Sequence, residues 1–510
     1  MSNLRRQKEF LPKDYYLPDL PYRLLPFRFS EFDTDHMLLV NEVGEHLLLP
    51  NNDFLSFVEK TLPSSDPSYL NLKGKHFLFD SDSTTSLELL ATKYRTKKEH
   101  LDGFVKLHIF VVSLRCEHSC HYCQVSRVSA DRVLYDMSAE TASKALDLVF
   151  QCPANELKIE FQGGEPLLNF NVIRQVVEDA EKRAVDSGKK VEFVVTTNLA
   201  LITEEIIQYC GEHRIWISTS LDGPAFIHNA NRPRPGKNSY ELTIAGIDKI
   251  RKSLGNDAVS AIMTATKLSL RHPREIIDEY IHQGFDSIFL RSISPYGFAV
   301  KTEKLVGYNI NEFLEFYVDA LKYILELNRK GTCFVETFTQ NILTRMLTPF
   351  STGYVDLQSP AGAGTGVVVY NYDGDIYASD EARMLAEMDD KRFRIGNVHA
   401  NSYGEIFGGE VNRELISLSN IESVPVCSDC VYQPYCGSDP VFHYGTQGDL
   451  AGYIPSSAFH KKHFFVFKHL LNLYYTDGNA RRIFHSWVPG KIAPRQTWRR
   501  RLIPDDGRSI

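Results

Sequence analysis

Residues 104–125, FVKLHIFVVSLRCEHSCHYCQV, constrain this chain more than any other stretch. A short apolar run from Phe104 to Leu114 reads as a buried strand and stops abruptly at a cysteine-rich loop. The loop places Cys116, Cys120 and Cys123 at the spacing C-x3-C-x2-C, with Tyr122 just before the last cysteine. Three thiolates on one short loop can converge on a single soft metal centre. Three ligands leave one coordination position open, which is what metal chemistry needs. A zinc loop completed by His118 or His121, or three unrelated thiols, are the plainer readings of the same residues.

At 510 residues the chain exceeds one ordinary core, so two or three domains are expected. A net charge of −7 argues against a general binder of nucleic acid or membrane surfaces. No apolar run reaches the roughly 18–20 residues of a membrane-spanning helix, and MSNLRRQKEFLPKD lacks the apolar core of a secretory signal. Six of the nine cysteines fall into two tight clusters, which suits metal ligation in a reducing, cytoplasmic setting better than a disulfide framework. Cys152 and Cys210, near helix ends, read as buried thiols.

Taken in order, residues 1–21 read as a tail and 22–99 as a β-rich unit with its linker. RLLPFRFSEF, DHMLLVNEVG and EHLLLP alternate apolar and polar positions, NNDFLSFVEKTL follows as a helix capped by Asn52 or Asp53, and KHFLFD closes the unit. From 100 to 330, strands alternate with helices. HIFVVSL, ELKIEFQGGEP, VEFVVTTN, WISTSLDG, VSAIMTATK and SIFLRSIS supply six strands, implying a parallel sheet with functional groups at its C-terminal edge. A helix from Ser138 opens with a Ser-x-Glu cap.

The strand ends carry an ordered set. Gly163, Gly164, Glu165 and Pro166 follow the second strand, and Thr196, Thr197 and Asn198 end the third, with Leu199 next. Ser218, Ser220, Leu221, Asp222 and Gly223 end the fourth, and Arg232 lies downstream. With the cysteine loop, this set resembles the radical S-adenosylmethionine (SAM) enzymes. The resemblance implies an α/β fold built on an open six-fold (βα) partial barrel. It implies a [4Fe–4S] cluster on Cys116, Cys120 and Cys123 whose fourth iron chelates SAM, and reductive cleavage of SAM to methionine and a 5′-deoxyadenosyl radical. It also implies SAM contacts from Tyr122, Gly163, Gly164, Glu165, Asn198, Ser220, Asp222 and Arg232, the ammonium on the Gly-Gly-Glu element and the carboxylate on Ser220 and Arg232. Leu199 departs from the family, which carries glycine there. No catalytic base is named.

Cys427, Cys430 and Cys436 form a second cluster, C-x2-C-x5-C, expected within a region spanning 331–475. It resembles the SPASM extension of peptide-modifying radical SAM enzymes, which holds auxiliary iron–sulfur clusters. Ala363, Ser379 and Pro440 stand where that extension has further cysteines, so the resemblance implies one auxiliary [4Fe–4S] cluster rather than two. Its fourth ligand is expected to be His460, with His463 and Cys333 as other candidates. A zinc knuckle on the same residues is the alternative. The strands of 22–80 resemble winged-helix modules that recognise leader peptides by strand addition.

Longer strings, including FRFSEFDTDHMLLVNEVGEHLLLP, AGAGTGVVVYNYDGDIYASDEARMLAEMDDKRFRIGNVH and VPVCSDCVYQPYCGSDPVFHYGTQGDL, resemble the B-type His-Xaa-Ser system radical SAM maturases. That implies modification of a small ribosomal precursor peptide, a second radical SAM maturase as partner, and an external one-electron reductant. Two other functions are weighed. One is a sulfatase-maturase-like enzyme acting on a protein side chain; the other is a zinc-stabilised binding protein. HKKHFFVFKHLLNLYY is expected to be a helix packed on the barrel, followed by a tail over 476–510 with the run Arg499-Arg500-Arg501.

Overall fold

The computed structural model describes residues 21–80, 84–125 and 127–488. The expected N-terminal tail, apart from Pro21, and the run Arg499–Arg501 lie outside the described residues. The chain divides into two compact units, the first comprising residues up to Lys97 with 346–350 and 429–434, the second the remainder.

In the first unit β1 (Tyr22–Leu24), β2 (Phe27–Glu31), β3 (His36–Asn41) and β4 (His46–Pro50) precede α1 (Asn51–Val58) and α2 (Pro67–Gly74). β5 (Leu78–Asp80) and α3 (Thr85–Lys97) follow. β2, β3 and β4 form an antiparallel meander and β1 pairs with β5. The core gathers Tyr22, Leu39, Leu49, Phe57, Leu72 and Phe77. The expected cap of α1 is corrected: Pro50 occupies that position and no side chain caps it. Asp53 instead accepts a hydrogen bond from Ser68 Oγ at 2.7 Å, tying α1 to the start of α2. α2 has a weak apolar pattern, because only Tyr69 and Leu72 of PSYLNLKG are buried.

The second unit is built on β6 (Leu107–Ser113), β7 (Glu156–Gly163), β8 (Lys190–Thr196), β9 (Ile215–Ser220) and β10 (Val259–Thr264). Between them run α4 (Ala139–Gln151), α5 (Phe170–Ser187), α6 (Glu204–Glu212), α7 (Ala225–Asn231) and α8 (Ser239–Leu254). These five strands pair in parallel and in sequence order. Ser138 caps α4 by accepting from Thr141 N–H. β6 is buried from His108 to Ser113, as a parallel strand covered on both faces must be.

After α9 (Pro273–His282), the sixth expected strand, SIFLRSIS, is split. β11 (Ser287–Ile288) pairs with β13 (Val335–Glu336), while β12 (Leu290–Arg291) pairs with β10. Between β12 and β13 lie α10 (Phe298–Lys301), α11 (Glu303–Val306) and α12 (Ile310–Arg329), and α13 (Thr337–Leu347) follows β13. Residues 367–397, which the sequence placed in the C-terminal extension, add three strands to the same sheet. β14 (Val367–Tyr370) pairs in parallel with β6, and β15 (Asp375–Tyr377) and β16 (Arg394–Asn397) continue antiparallel, giving nine strands. The β14–β15 turn uses Gly374 at φ +84°, as the Tyr372–Asp375 turn sequence predicts. α14 (Asp380–Ala386) lies between β15 and β16, and α15 (Tyr403–Phe407), α16 (Glu410–Leu418) and α17 (Pro440–Gln447) follow β16. α18 (Ala458–Thr476) buries Phe459, His463, Val466 and Phe467 and packs on α12. Gly478–Trp487 form α19, so the expected C-terminal tail opens with a helix.

Candidate functional site

The cysteine loop leaves the C-terminal end of β6, and the end of β7 holds it in place. Gly164 N–H donates to Ser113 O at 2.8 Å and Glu165 N–H to Arg115 O at 2.7 Å. Gly163 sits at φ +146°, where a Cβ would stand 2.0 Å from Ser113 O. A Cβ on Gly164 would meet Arg115 O at 2.3 Å. Both positions therefore require glycine so that strand end and cysteine loop can lie backbone against backbone.

Glu165 is fully buried, and its carboxylate accepts from Thr197 Oγ1 (2.6 Å), Asn198 N–H (2.9 Å) and Leu167 N–H (3.1 Å). It thus joins the ends of β7 and β8, and burial together with the nearby Glu117 charge raises its pKa to about 8. Asn198, held by that contact, donates from Nδ2 to Glu117 Oε1 at 2.8 Å and reaches Cys116 Sγ at 3.9 Å. Leu199 takes φ +64°, the left-handed conformation that glycine favours. Leu199 thus holds a backbone shape that the expected glycine would adopt freely. Gly246 of α8 makes room, since a Cβ there would lie 2.7 Å from Leu199 Cβ.

At the end of β9, Asp222 is fully buried and organises three partners. Tyr122 donates its hydroxyl to both carboxylate oxygens at 2.9 and 2.8 Å. Arg232 donates from Nε at 2.9 Å and from Nη2 at 3.3 Å, with its guanidinium 5.1 Å from the Tyr122 ring centroid. Burial lowers the Arg232 pKa, but Asp222 outweighs it and the net shift is upward. Arg232 is therefore an anchored side chain and not the solvated arginine that its place beside Pro233 allowed. Ser220 is half-buried at the end of β9, opposite Ile262 of β10.

One arrangement was not legible in the sequence. Asp222 N–H donates to His228 Nδ1 (3.3 Å), His228 Nε2 meets Ser239 Oγ (3.0 Å), and Ser239 Oγ meets His118 Nε2 (2.8 Å). His118 Nδ1 meets Glu117 Oε1 at 2.9 Å. With His228 Nδ1 accepting, neutral His228 donates from Nε2–H to Ser239, and at the far end His118 Nδ1 meets both Glu117 Oε1 and, at 3.0 Å, the Asn198 amide. Burial holds His228 near a pKa of about 3, hence neutral, as that pattern requires. Ser239 and His228 carry no motif; only the fold brings them between the cysteine loop and the end of β9.

The donor set fits a cluster better than a single ion. Among the described residues, the group of ligand atoms lying within 4.8 Å of one another is Cys116, Glu117 and His118, not the three cysteines. Tetrahedral zinc with Zn–S of about 2.3 Å would bring three sulfurs to roughly 3.8 Å apart. Both His118 ring nitrogens are engaged in the relay above, so it is not held as a free fourth ligand. Burial pushes the Cys120 thiol up to about 12 and Cys116 well above its ordinary value, while Arg232 opposes the shift at Cys120. Such thiols need a metal centre to draw off their protons.

Cys427, Cys436 and His460 belong to the second unit and Cys430 to the first. Arg345, buried, donates from Nε to Tyr435 O (2.9 Å) and from Nη2 to Cys436 O (3.4 Å). His460 lies in the first turn of α18, half-buried, its ring 5.5 Å from that of Phe464. His463 is buried and meets Phe459 O through Nδ1 at 2.9 Å, and Cys333 is exposed. Ser379 caps α14 and Pro440 opens α17, so neither position offers a thiolate. Cys152 and Cys210 are buried, as expected.

A family model described as the radical SAM superfamily matches residues 110–281. An uncharacterised protein of Methanocaldococcus jannaschii is 32% identical over 214 residues, covering 42% of this chain and 70% of that relative. The radical SAM cyclopropyl synthase TigE of Paramaledivibacter caminithermalis is 23% identical over 47% of this chain and 51% of its own length. The cysteine-type anaerobic sulfatase-maturating enzyme of Clostridium perfringens is 22% identical over 65% of this chain and 87% of that relative. The solved structure of native anSMEcpe with bound AdoMet shares the fold, with a TM-score of 0.58 at 18% identity, over 75% of this chain and 98% of that one. No helix among the described residues is long and apolar enough to cross a membrane. The chain belongs to the radical SAM superfamily, which implies a [4Fe–4S] cluster and S-adenosylmethionine.

Proposed function

We propose that this protein is a cytoplasmic peptide maturase that cleaves SAM and modifies a ribosomal precursor peptide of the His-Xaa-Ser repeat type. One observation carries the reading: Cys116, Cys120 and Cys123 leave β6 on a loop clamped by Gly163 and Gly164, with Asn198 and the Asp222–Arg232 pair around it. Cys116, Cys120 and Cys123 would hold a [4Fe–4S] cluster there, which with SAM would supply radical chemistry for hydrogen abstraction. The chain's own residues position and shield. Glu165 sets the height of Asn198, whose amide steadies the Cys116 sulfur. Asp222 occupies Nε and Nη2 of Arg232 and leaves Nη1 for the SAM carboxylate beside Ser220. Carbonyls at Gly163 and Gly164 would take the SAM ammonium. Tyr122, Ala299 and Val306 pack with Ile293 into an apolar layer that keeps water from one side of the loop.

Peptide as substrate class is supported by native anSMEcpe, solved with AdoMet and the Cp18Cys peptide. The first unit would serve as the leader-recognition module. β2 and β4 are the edges of its meander, and β2 exposes Phe29 at 52%, a surface suited to strand addition. Cys427, Cys430 and Cys436, with His460 as fourth ligand, would hold one auxiliary cluster; their spacing is the support. A second radical SAM maturase and a one-electron donor complete the system. The extent of the likeness to the cysteine-type sulfatase-maturating enzyme favours a second reading, action on a residue of a folded or nascent protein.

Anaerobic reconstitution with iron and sulfide analysis tests the assignment on wild type and Cys427→Ala. About eight irons per chain, falling to about four in the variant, is the expected result for two four-iron clusters. Four in both would remove the auxiliary cluster, and zinc without iron would remove the enzyme.

A further inference from the structure

Past the end of β12 lies a cavity of about 380 Å³, within the range of ligand sites. The cysteine loop itself fixes its position. Phe298 N–H donates to Cys123 O at 2.8 Å and Thr302 Oγ1 to His121 O at 2.5 Å. Gly297, at φ +60°, lies so close that a Cβ would meet Gln124 O at 2.6 Å. Ile293 and Ala299, which pack with Tyr122, also line the cavity. The cavity therefore adjoins the layer that covers the proposed cluster.

Its walls combine aromatic rings, among them Phe338, Phe442 and Phe459, with three carboxylates and two cations. α14 and α17 pack together and bring in Glu381 and Asp439; Asp356 completes the acidic group. Asp439 caps α17, accepting Phe442 N–H at 2.9 Å. Burial and the crowding of like charges raise Glu381 to about 8 and Asp439 to about 7. Lys462 holds its ammonium 5.6 Å from the Phe338 ring centroid, and Arg291 lies on the same wall. Tyr296 is 1% exposed, yet its hydroxyl has no hydrogen-bond partner among the described residues. The charges bearing on that hydroxyl are those of Asp439, Glu381 and Asp356. A buried hydroxyl without a partner and carboxylates crowded together are both unfavourable in isolation. A single kind of ligand relieves both: a cation carrying N–H donors.

We propose that this cavity receives a cationic side chain of the peptide substrate, whose N–H groups donate to Glu381, Asp439 and the Tyr296 oxygen. The inference rests on the peptide-maturase reading above and adds the chemical class of residue presented beside the SAM loop. The aromatic walls favour the same ligand through cation–π attraction.

The test uses the full chain, reconstituted anaerobically and supplied with SAM. It is titrated with a fluorescently labelled glycine–serine peptide bearing a central lysine, arginine, histidine, leucine or glutamate. At least one cationic guest is expected to bind about tenfold more tightly than leucine or glutamate. The double variant Glu381→Gln, Tyr296→Phe is expected to lose that preference. Should the variant fail to fold, the ranking of guests on wild type decides alone. Equal affinities, no binding by any guest, or displacement of the cationic peptide by S-adenosylhomocysteine would overturn the proposal. 5′-Deoxyadenosine formed by wild type when the same samples are reduced with dithionite reads the SAM assignment separately. Its absence with the cationic preference intact removes the proposed function and leaves the cavity, and the reverse removes the cavity alone.

Discussion

Two stretches of the same sheet edge treat polar groups in opposite ways. At the ends of β6 to β10 the two fully buried carboxylates are closed off by protein: Glu165 by three donors, Asp222 by Tyr122, Arg232 and Thr264 N–H, while Glu117 is held through one oxygen. Past β12, the Tyr296 hydroxyl has no hydrogen-bond partner among the described residues and three carboxylates crowd one cavity. The closed stretch spends its polar groups on shape, fixing where the cysteine loop and its neighbours stand. The open stretch leaves them for something else to satisfy.

The largest way to break this contrast is Asp222→Ala. It leaves Arg232 buried without its carboxylate, and breaking a buried pair costs about 3–5 kcal/mol. Denaturant unfolding of the variant should show a loss of that size; a change below about 1 kcal/mol would mean that the pair is not closed as described.

Removal of a polar group on the open side should act in the other direction. Tyr296→Phe deletes a hydroxyl that no described residue satisfies, so thermal unfolding should show stability unchanged or raised by about 1 kcal/mol. A loss of more than that would reveal a partner for the hydroxyl.

How much of this could be read in advance follows the same division. The cysteine loop and the Gly-Gly-Glu turn announce themselves because their chemistry requires particular residues at fixed spacing. The strands of the parallel sheet were legible as apolar runs, down to the buried HIFVVS of β6. Leu199 shows a limit of motif reading, since its backbone adopts the conformation of the glycine it replaces. The relay through His228 and Ser239 had no signal, because both residues acquire partners only when α7 and α8 fold over β9. The cavity was equally silent: Asp356, Glu381 and Asp439 are far apart in sequence, and only α14 packing on α17 brings two of them together. The joining of β14 to β6 is a long-range pairing that local pattern does not encode.

A further effect concerns pH. Glu381 faces Asp356, Asp439, Asp380 and Tyr354, with Arg291 and Lys462 on the same cavity, and its pKa rises from the ordinary 4.5 to about 8. The folded protein therefore binds a proton that the unfolded chain releases. The associated stability is fully present below about 4.5 and lost as pH climbs through about 8. Glu381→Gln should gain on wild type in melting temperature between those values and match it in acid; a constant difference across the range would show that Glu381 is already ionised.

The central claim is that the loop of Cys116, Cys120 and Cys123 is where SAM is cleaved. The most direct measurement is 5′-deoxyadenosine formation from SAM by the anaerobically reconstituted, dithionite-reduced protein, wild type beside Cys120→Ala. The account predicts product from wild type and none from the variant. Product from Cys120→Ala, or none from a wild type carrying its full iron, would contradict it.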